Sequence, residues 1–365
     1  MPMLTETPAR RGGACRLLLA LVCALLPGCG SLYVMQAANG EMGVLRARVP
    51  IDRLLADPAT PADLRARLEQ VRAARAFASG TLGLPDNRSY RTYADIRRQY
   101  VVWNVVATPE FSVLPLHWCF PVAGCVAYRG YFHEDKARAF ANELAVRGDD
   151  VAIDGVPAYS TLGRFADPVL SSMLPYGDDE LAATIFHELA HQLIYVQDDS
   201  AFNEAFATTV EEVGLERWLT QQGQAARIEA FRADQRHEQA FVELFTRTRA
   251  ELVTLYASAL PPVQMRARKA AVMHRLGSEI QALERREHAA YPLYDEWIAQ
   301  GLNNARLAAV ATYFDCVPGF QHLLLQQQGD LGKFYAAVRE LARLPRAQRH
   351  ARVCSGPLAP EDEDS

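Results

Sequence analysis

Residues 179–192 read Asp179-Glu-Leu-Ala-Ala-Thr-Ile-Phe-His187-Glu188-Leu-Ala-His191-Gln192, a run with helical patterning and two histidines four residues apart. In an α-helix such residues share a face about one turn apart, so both imidazoles can reach one ion, with zinc–nitrogen distances of about 2.1 Å. Glu188 lies beside the first histidine. It is placed to accept a proton from water at that ion rather than to ligate it. Ile185, Phe186, Leu189 and Ala190 give the helix an apolar packing face. Asp178 and Asp179 are expected to cap its N-terminus.

Two histidines supply half a tetrahedron, so a third protein ligand is required. The following segment, Phe202-Asn203-Glu204-Ala205-Phe206-Ala207-Thr208, is also helical in pattern. The polar break Gln197-Asp-Asp-Ser-Ala before it is long enough to reverse the chain. Small Ala205 and Ala207 suit a close antiparallel approach, which would bring Glu204 over the histidine pair. Asp198, Asp199, Glu211 and Glu212 are the other acids within reach. The two aspartates, in the turn, are better suited to supporting or capping roles.

Outward from this pair, the pattern divides the chain. Residues 51–80 repeat apolar positions at helical spacing with a break at Pro58 and Pro61, which predicts two helices within an N-terminal region 29–98. Short β-branched or aromatic runs from Tyr100, Val113, Val126 and Val151, separated by Pro and Gly, predict a small sheet. With the two ligand helices they make a core of 99–222. Residues 223–350 read as helical, including a long hairpin over 224–290 hinged at Pro261-Pro262, and 351–365 read as an acidic disordered tail. The expected class is α+β, predominantly helical, with the sheet ahead of the zinc-binding helix.

The N-terminus adds a location. Arg10, Arg11 and Arg16 precede an apolar run, Leu17 to Leu26, followed by Pro27-Gly28-Cys29, the layout of an export signal over 1–28. The run is too short for the roughly 20 residues that cross a bilayer. Gly28-Cys29 resembles the lipobox of bacterial lipoproteins, in which the cysteine becomes a lipidated N-terminus. A lipid on Cys29 would tether the chain to the membrane, facing the periplasm, with the outer membrane favoured over the inner. The full chain carries a net charge of −5, and the leader removes three arginines against one acid, Glu6. An acidic mature chain argues against nucleic acid as a partner. Of the seven cysteines, Cys119, Cys125, Cys316 and Cys354 then remain in an oxidising compartment. Pro121 and Gly124 favour a turn that pairs Cys119 with Cys125. Cys316 with Cys354 is the remaining pairing.

Were water at such an ion to attack a peptide carbonyl, the site would also need a donor for the developing oxyanion and an edge strand for extended peptide. Gly155–Leu162, just before the zinc helix, suits the edge because Pro157 is tolerated there, and it would bring Ser160 to the substrate. Tyr159, Tyr294 and Tyr313 are the candidate oxyanion donors. Asn303 and Asn304 follow Gly301 at the head of a helix, where they could bind substrate backbone or cap the helix.

His-Glu-Leu-Ala-His followed by Asn-Glu-x-x-Ala resembles the gluzincin metallopeptidases, the thermolysin-related class with a glutamate as third ligand. The mature chain is more closely similar to a family of predicted bacterial aminopeptidase lipoproteins. Segments that carry this include Leu84-Pro-Asp-Asn-Arg-Ser-Tyr, Val101-Val-Trp-Asn, Trp118-Cys-Phe-Pro-Val-Ala-Gly-Cys-Val, Tyr128-Arg-Gly-Tyr-Phe, Ala158-Tyr-Ser-Thr-Leu-Gly and Asn303-Asn-Ala. The resemblance runs from the lipobox to about Leu344. It implies a zincin-like fold, a zinc cofactor held by His187, His191 and Glu204, Glu188 as general base, and a peptide or protein substrate. Two departures stand out. The interval to Glu204 is shorter than in better-known gluzincins, and Thr208 stands where thermolysin-like enzymes carry an acid that orients a ligand histidine.

Overall fold

The computed structural model describes residues 28–120, 124–287 and 292–354. Most of the leader, the side chain of Cys29 and the acidic end from Ser355 lie outside them. No helix among the described residues is long and apolar enough to cross a membrane. Residues up to Gly43 form one unit and those from Val44 another. The described part of the first unit is helical, within α1 (Gly28–Arg46).

The second unit is mostly helical with small sheets, an α+β arrangement. It opens with β1 (Arg48–Pro50), α2 (Ile51–Ala56) and α3 (Ala62–Gly80). The Pro58/Pro61 break falls between these two helices, as the periodicity requires. β2 (Thr92–Ala94), β3 (Val102–Thr108), β4 (Trp118–Phe120), β5 (Gly124–Val126) and β6 (Arg129–Tyr131) follow, then α4 (Glu134–Val146), β7 (Asp150–Val156) and β8 (Val169–Leu170). They form three small sheets: β1-β2-β8, β6-β3-β7, and the β4-β5 hairpin. In the central one β3 pairs antiparallel with both neighbours. Val106 and Ala152 of that sheet are buried with Ala305 and Ala308, small residues that let a later helix lie close to the strands.

Two strand expectations change. Residues 113–116 are not a strand: Val113 is buried in a separate apolar cluster with Phe241 and Leu252, so its side chain serves packing between helices. The edge strand ends at Val156 rather than continuing to Leu162. Pro157 has no amide hydrogen for a ladder, and Asp167 draws the next residues into a loop by accepting from Thr161 N at 3.2 Å and Thr161 Oγ1 at 2.6 Å.

A 3₁₀ turn (Ser171–Tyr176) leads into α5 (Asp178–Leu193) and α6 (Ser200–Gln221). The long hairpin is α7 (Ala225–Tyr256) and α8 (Pro262–Glu287), turning at the double proline as expected. The chain closes with α9 (Pro292–Gln300), α10 (Asn304–Phe314), α11 (Val317–Gln326), α12 (Leu331–Ala342) and α13 (Arg346–Val353). The last helix extends into the stretch read as tail. Both disulfides, Cys119–Cys125 and Cys316–Cys354, are formed. The first joins residues directly opposite each other in the β4-β5 register.

The main core packs α3, α5, α6, α11 and α12 together, with Phe186, Phe202, Phe206, Phe320 and Phe334 fully buried. Burying side chains of this size contributes roughly 1.5–3 kcal/mol each. At their crossing, α5 and α6 approach so closely that a Cβ on Gly214 would lie 2.9 Å from both Leu82 Cδ1 and Phe186 Cδ2. Glycine is required there by space, not by backbone angle. This contact sets the separation of the two helices that carry His187, His191 and Glu204.

Candidate metal centre

Helix α5 begins after Gly177, whose φ of 100° starts the helix without a side-chain cap. The expected capping by Asp178 or Asp179 does not occur. Both lie inside the first turn with Glu180, where negative charge is favourable against the helix dipole. There they pair outward: Asp178 with Arg67, and Asp179 with Arg227. Leu181, Ala182, Ile185, Phe186 and Leu189 are buried, which fixes the rotation of the helix and turns His187 and His191 toward α6.

The turn after α5 is closed by its own side chains. Asn203 Oδ1 accepts from Val196 N at 2.8 Å, and Asn203 Nδ2 donates to Val196 O at 2.7 Å. Asp199 caps α6 by accepting from Phe202 N at 3.3 Å, the supporting role its position suggests. Helix α6 then runs back along α5 and carries Glu204 to the histidines.

Three ligand-type atoms converge. His187 Nε2 and His191 Nε2 are 3.2 Å apart, and Glu204 Oε2 lies 3.4 Å from the first and 3.6 Å from the second. Atoms held about 2.1 Å from one centre at tetrahedral angles are about 3.4 Å from one another. The donor set of two imidazoles and a carboxylate, at these spacings, fits a zinc ion. Among the described residues one other trio of ligand types clusters, Cys316, His350 and Cys354. Its sulfurs are bonded to each other and offer no thiolate.

Electrostatics follow the same geometry. Burial works against a charge on His187, yet its hydrogen bonds with Glu204 and Glu211 hold its pKa well above the ordinary value. Burial would raise the Glu204 carboxyl, but the two histidines hold it well below the usual carboxylate range. Glu188 is also buried, and burial pushes its pKa up against the opposing pull of both histidines. A raised carboxyl is better matched to taking up and returning a proton near neutrality.

Glu211 is placed differently from Glu204. Its Oε2 is 2.8 Å from His187 Nδ1, so it accepts from the far side of the ring and leaves Nε2 facing the cluster. The position four residues after Glu204, Thr208, plays no such part. The supporting acid is found one further turn along α6. Beyond it lie more carboxylates: burial, then the field of Glu212 and Glu211, pushes Glu238 up to about 8. Burial raises Glu212 to about 7, against a hydrogen bond from Gln321.

Gln192, next to His191, ties this helix to two loops. It donates to Asp167 Oδ2 at 3.1 Å and to Ser89 Oγ at 3.3 Å, and accepts from Asn87 Nδ2 at 2.7 Å. Ser160 joins the same network through Asp167 Oδ2 at 3.3 Å. Tyr159 precedes it, with its ring edge-on to Phe132. The tyrosines separate. Burial, then the fields of Glu204, Tyr128 and Glu188, raise the Tyr313 phenol. Tyr294 instead stacks face to face on Phe241 with centroids 3.7 Å apart, in the separate cluster of the α7–α8 hairpin. Tyr195, not anticipated from sequence, has its ring 6.4 Å from that of His191. Burial and Glu204 push its phenol up to about 12.

Asn303 and Asn304 are committed to holding α10. Asn303 caps the helix by accepting from Arg306 N at 3.1 Å and donates to Val151 O at 2.9 Å. Asn304, fully buried, donates to Glu110 O at 2.9 Å and accepts from Tyr256 Oη at 2.8 Å. Of the two roles open to them from sequence, the structure shows helix anchoring.

A family model described as "Putative aminopeptidase" matches residues 32–353, and the chain belongs to that family. No curated protein and no solved structure matches it. Membership indicates a peptidase.

Proposed function

We propose that the chain is a zinc-dependent metallopeptidase with a zincin-like core, acting on peptide bonds in the bacterial cell envelope. The observation that carries this reading is the triangle of His187 Nε2, His191 Nε2 and Glu204 Oε2 at 3.2–3.6 Å, with buried Glu188 next to His187 in the same helix. His187, His191 and Glu204 would hold the ion. Bound there, zinc would acidify water and polarise a carbonyl.

The chain's own residues do the rest. Glu211 fixes the His187 ring by accepting its Nδ1 hydrogen. Glu188 takes a proton from the attacking water and delivers it to the leaving amine, a role its buried, raised carboxyl suits. Tyr313 donates to the oxyanion that forms as water adds. The family's description favours amino-terminal residues as the cleavage site. Cys29 carries the lipid that holds the enzyme at the membrane, facing the periplasm. A fatty-acid analogue should label the wild type and not Cys29→Ser; equal labelling removes the anchor.

The test is Glu188→Gln. The amide keeps the size but cannot take a proton, and a general base is typically worth about 10²–10⁴ in rate. The variant should retain one zinc per chain and cleave peptides at least about 100-fold more slowly. Turnover within a few-fold of wild type, with metal still bound, would favour a structural metal site instead.

A further inference from the structure

The turn between the two ligand helices, residues 194–199, is gripped from two sides by segments that are each closed by a disulfide. On one side is the β4-β5 hairpin. Asp198, at a left-handed φ of 64°, accepts from Cys125 N at 2.5 Å. The hairpin presses so close that a Cβ on Gly124 would collide with Asp198 Oδ1 and lie 3.0 Å from Asp198 N. Cys125 is bonded to Cys119.

On the other side is α13. Arg349 places Nε 2.7 Å and Nη2 2.6 Å from Asp199 Oδ2, and His350 Nε2 is 2.7 Å from Asp199 Oδ1. Asp199 is 1% exposed, so this ion pair is out of water, where removing one partner is far more damaging than at the surface. Cys354, just beyond α13, is bonded to Cys316 at the start of α11. The two helices meet through their backbones: a Cβ on Gly319 would collide with Val353 O.

Asp199 is also the cap of α6, and Glu204 follows it by five residues, about one and a half turns. Whatever fixes the first turn of α6 therefore fixes the reach of Glu204 toward the histidines. We propose that the two disulfide-closed segments form a clamp on the 194–199 turn, and that opening Cys316–Cys354 weakens metal binding by releasing α13 from Asp199. The opening step balances with a dithiol as reductant. It supplies two electrons and two protons, the sulfur–sulfur bond becomes two thiols, and the dithiol closes to its own disulfide.

The inference rests on the zinc reading and has its own test. Zinc affinity is measured by chelator competition on the mature chain at 25 °C, with melting followed separately. Cys316→Ser/Cys354→Ser and Asp199→Asn should each bind zinc at least about 10-fold more weakly, as is usual for partners that support ligands. Their cobalt-substituted forms should show altered absorption, which a loss of stability alone would not produce. Asp199→Asn keeps both disulfides and decides the matter if the double serine variant does not fold. Wild-type affinity in that variant, even with a lower melting temperature, overturns the clamp. A wild type with no zinc affinity rejects the metal reading itself.

Discussion

Glu211 Oε2 lies 2.8 Å from His187 Nδ1, on the side of the imidazole that faces away from Glu204. An ionised carboxylate only accepts, so when His187 gives up its extra proton, as binding an ion would require, the hydrogen that stays is on Nδ1 and the lone pair is on Nε2, toward the cluster. The two acids of α6 thus hold one ring from both ends, one as a candidate ligand and one as its support.

Replacing the support alone should separate the two. Glu211→Gln keeps the volume but removes the negative charge, and partners of this kind are typically worth 10–100-fold in metal affinity. The variant should stay folded and bind zinc about 10-fold or more weakly in a chelator competition. Affinity equal to wild type would assign Glu211 to the neighbouring carboxylate cluster rather than to His187.

What could be read from the sequence tracks how local each determinant is. The spacing of His187 and His191 is set within one helix, and Glu204 lies just across a short turn, so their convergence was legible. Glu211 was legible as an acid but not as the partner of Nδ1. That depends on α6 running back along α5, on a separation set by Gly214 against Phe186. Asn303 and Asn304 were open to two roles because their partners, Val151, Glu110 and Tyr256, are remote in sequence. Tyr294 had the right chemistry for a donor, but only packing reveals that its ring faces Phe241. The run after Val113 had strand composition, yet burial among the hairpin helices won over ladder formation.

The acids beyond Glu211 give stability a pH dependence with a definite sign. Glu238 is raised to about 8 in the folded chain, first by burial and then by Glu212 and Glu211, whereas an unfolded glutamate titrates near 4.3. Between those values the folded state binds the extra proton, so the contribution is fully present below the unfolded pKa and is lost as pH rises toward 8. Glu238→Gln cannot lose it. Urea unfolding at pH 5.5 and 8.5 should show a smaller decline for the variant, by up to about 3 kcal/mol. An equal decline in both proteins would remove Glu238 as the cause.

The last prediction concerns the oxyanion, for which Tyr313 and Tyr195 compete. Tyr195 follows α5 with its ring 6.4 Å from that of His191, while Tyr313 comes from α10, a separate element anchored to β7 through Asn303. A donor must meet charge that develops on the substrate, not on a ligand. Beyond burial, the Tyr313 phenol is raised by the fields of both Glu204 and Glu188, the proposed ligand and the proposed base, whereas Tyr195 is raised by Glu204 and Asp198. The raised Tyr313 phenol stays protonated through the working range and remains a donor. Loss of one such donor typically costs 10²–10³ in kcat. Tyr313→Phe should therefore bind zinc like wild type and lower kcat about 100-fold with little change in KM, while Tyr195→Phe stays within about 10-fold. If the larger loss falls on Tyr195→Phe, the donor role moves to the tyrosine next to the ligand helix.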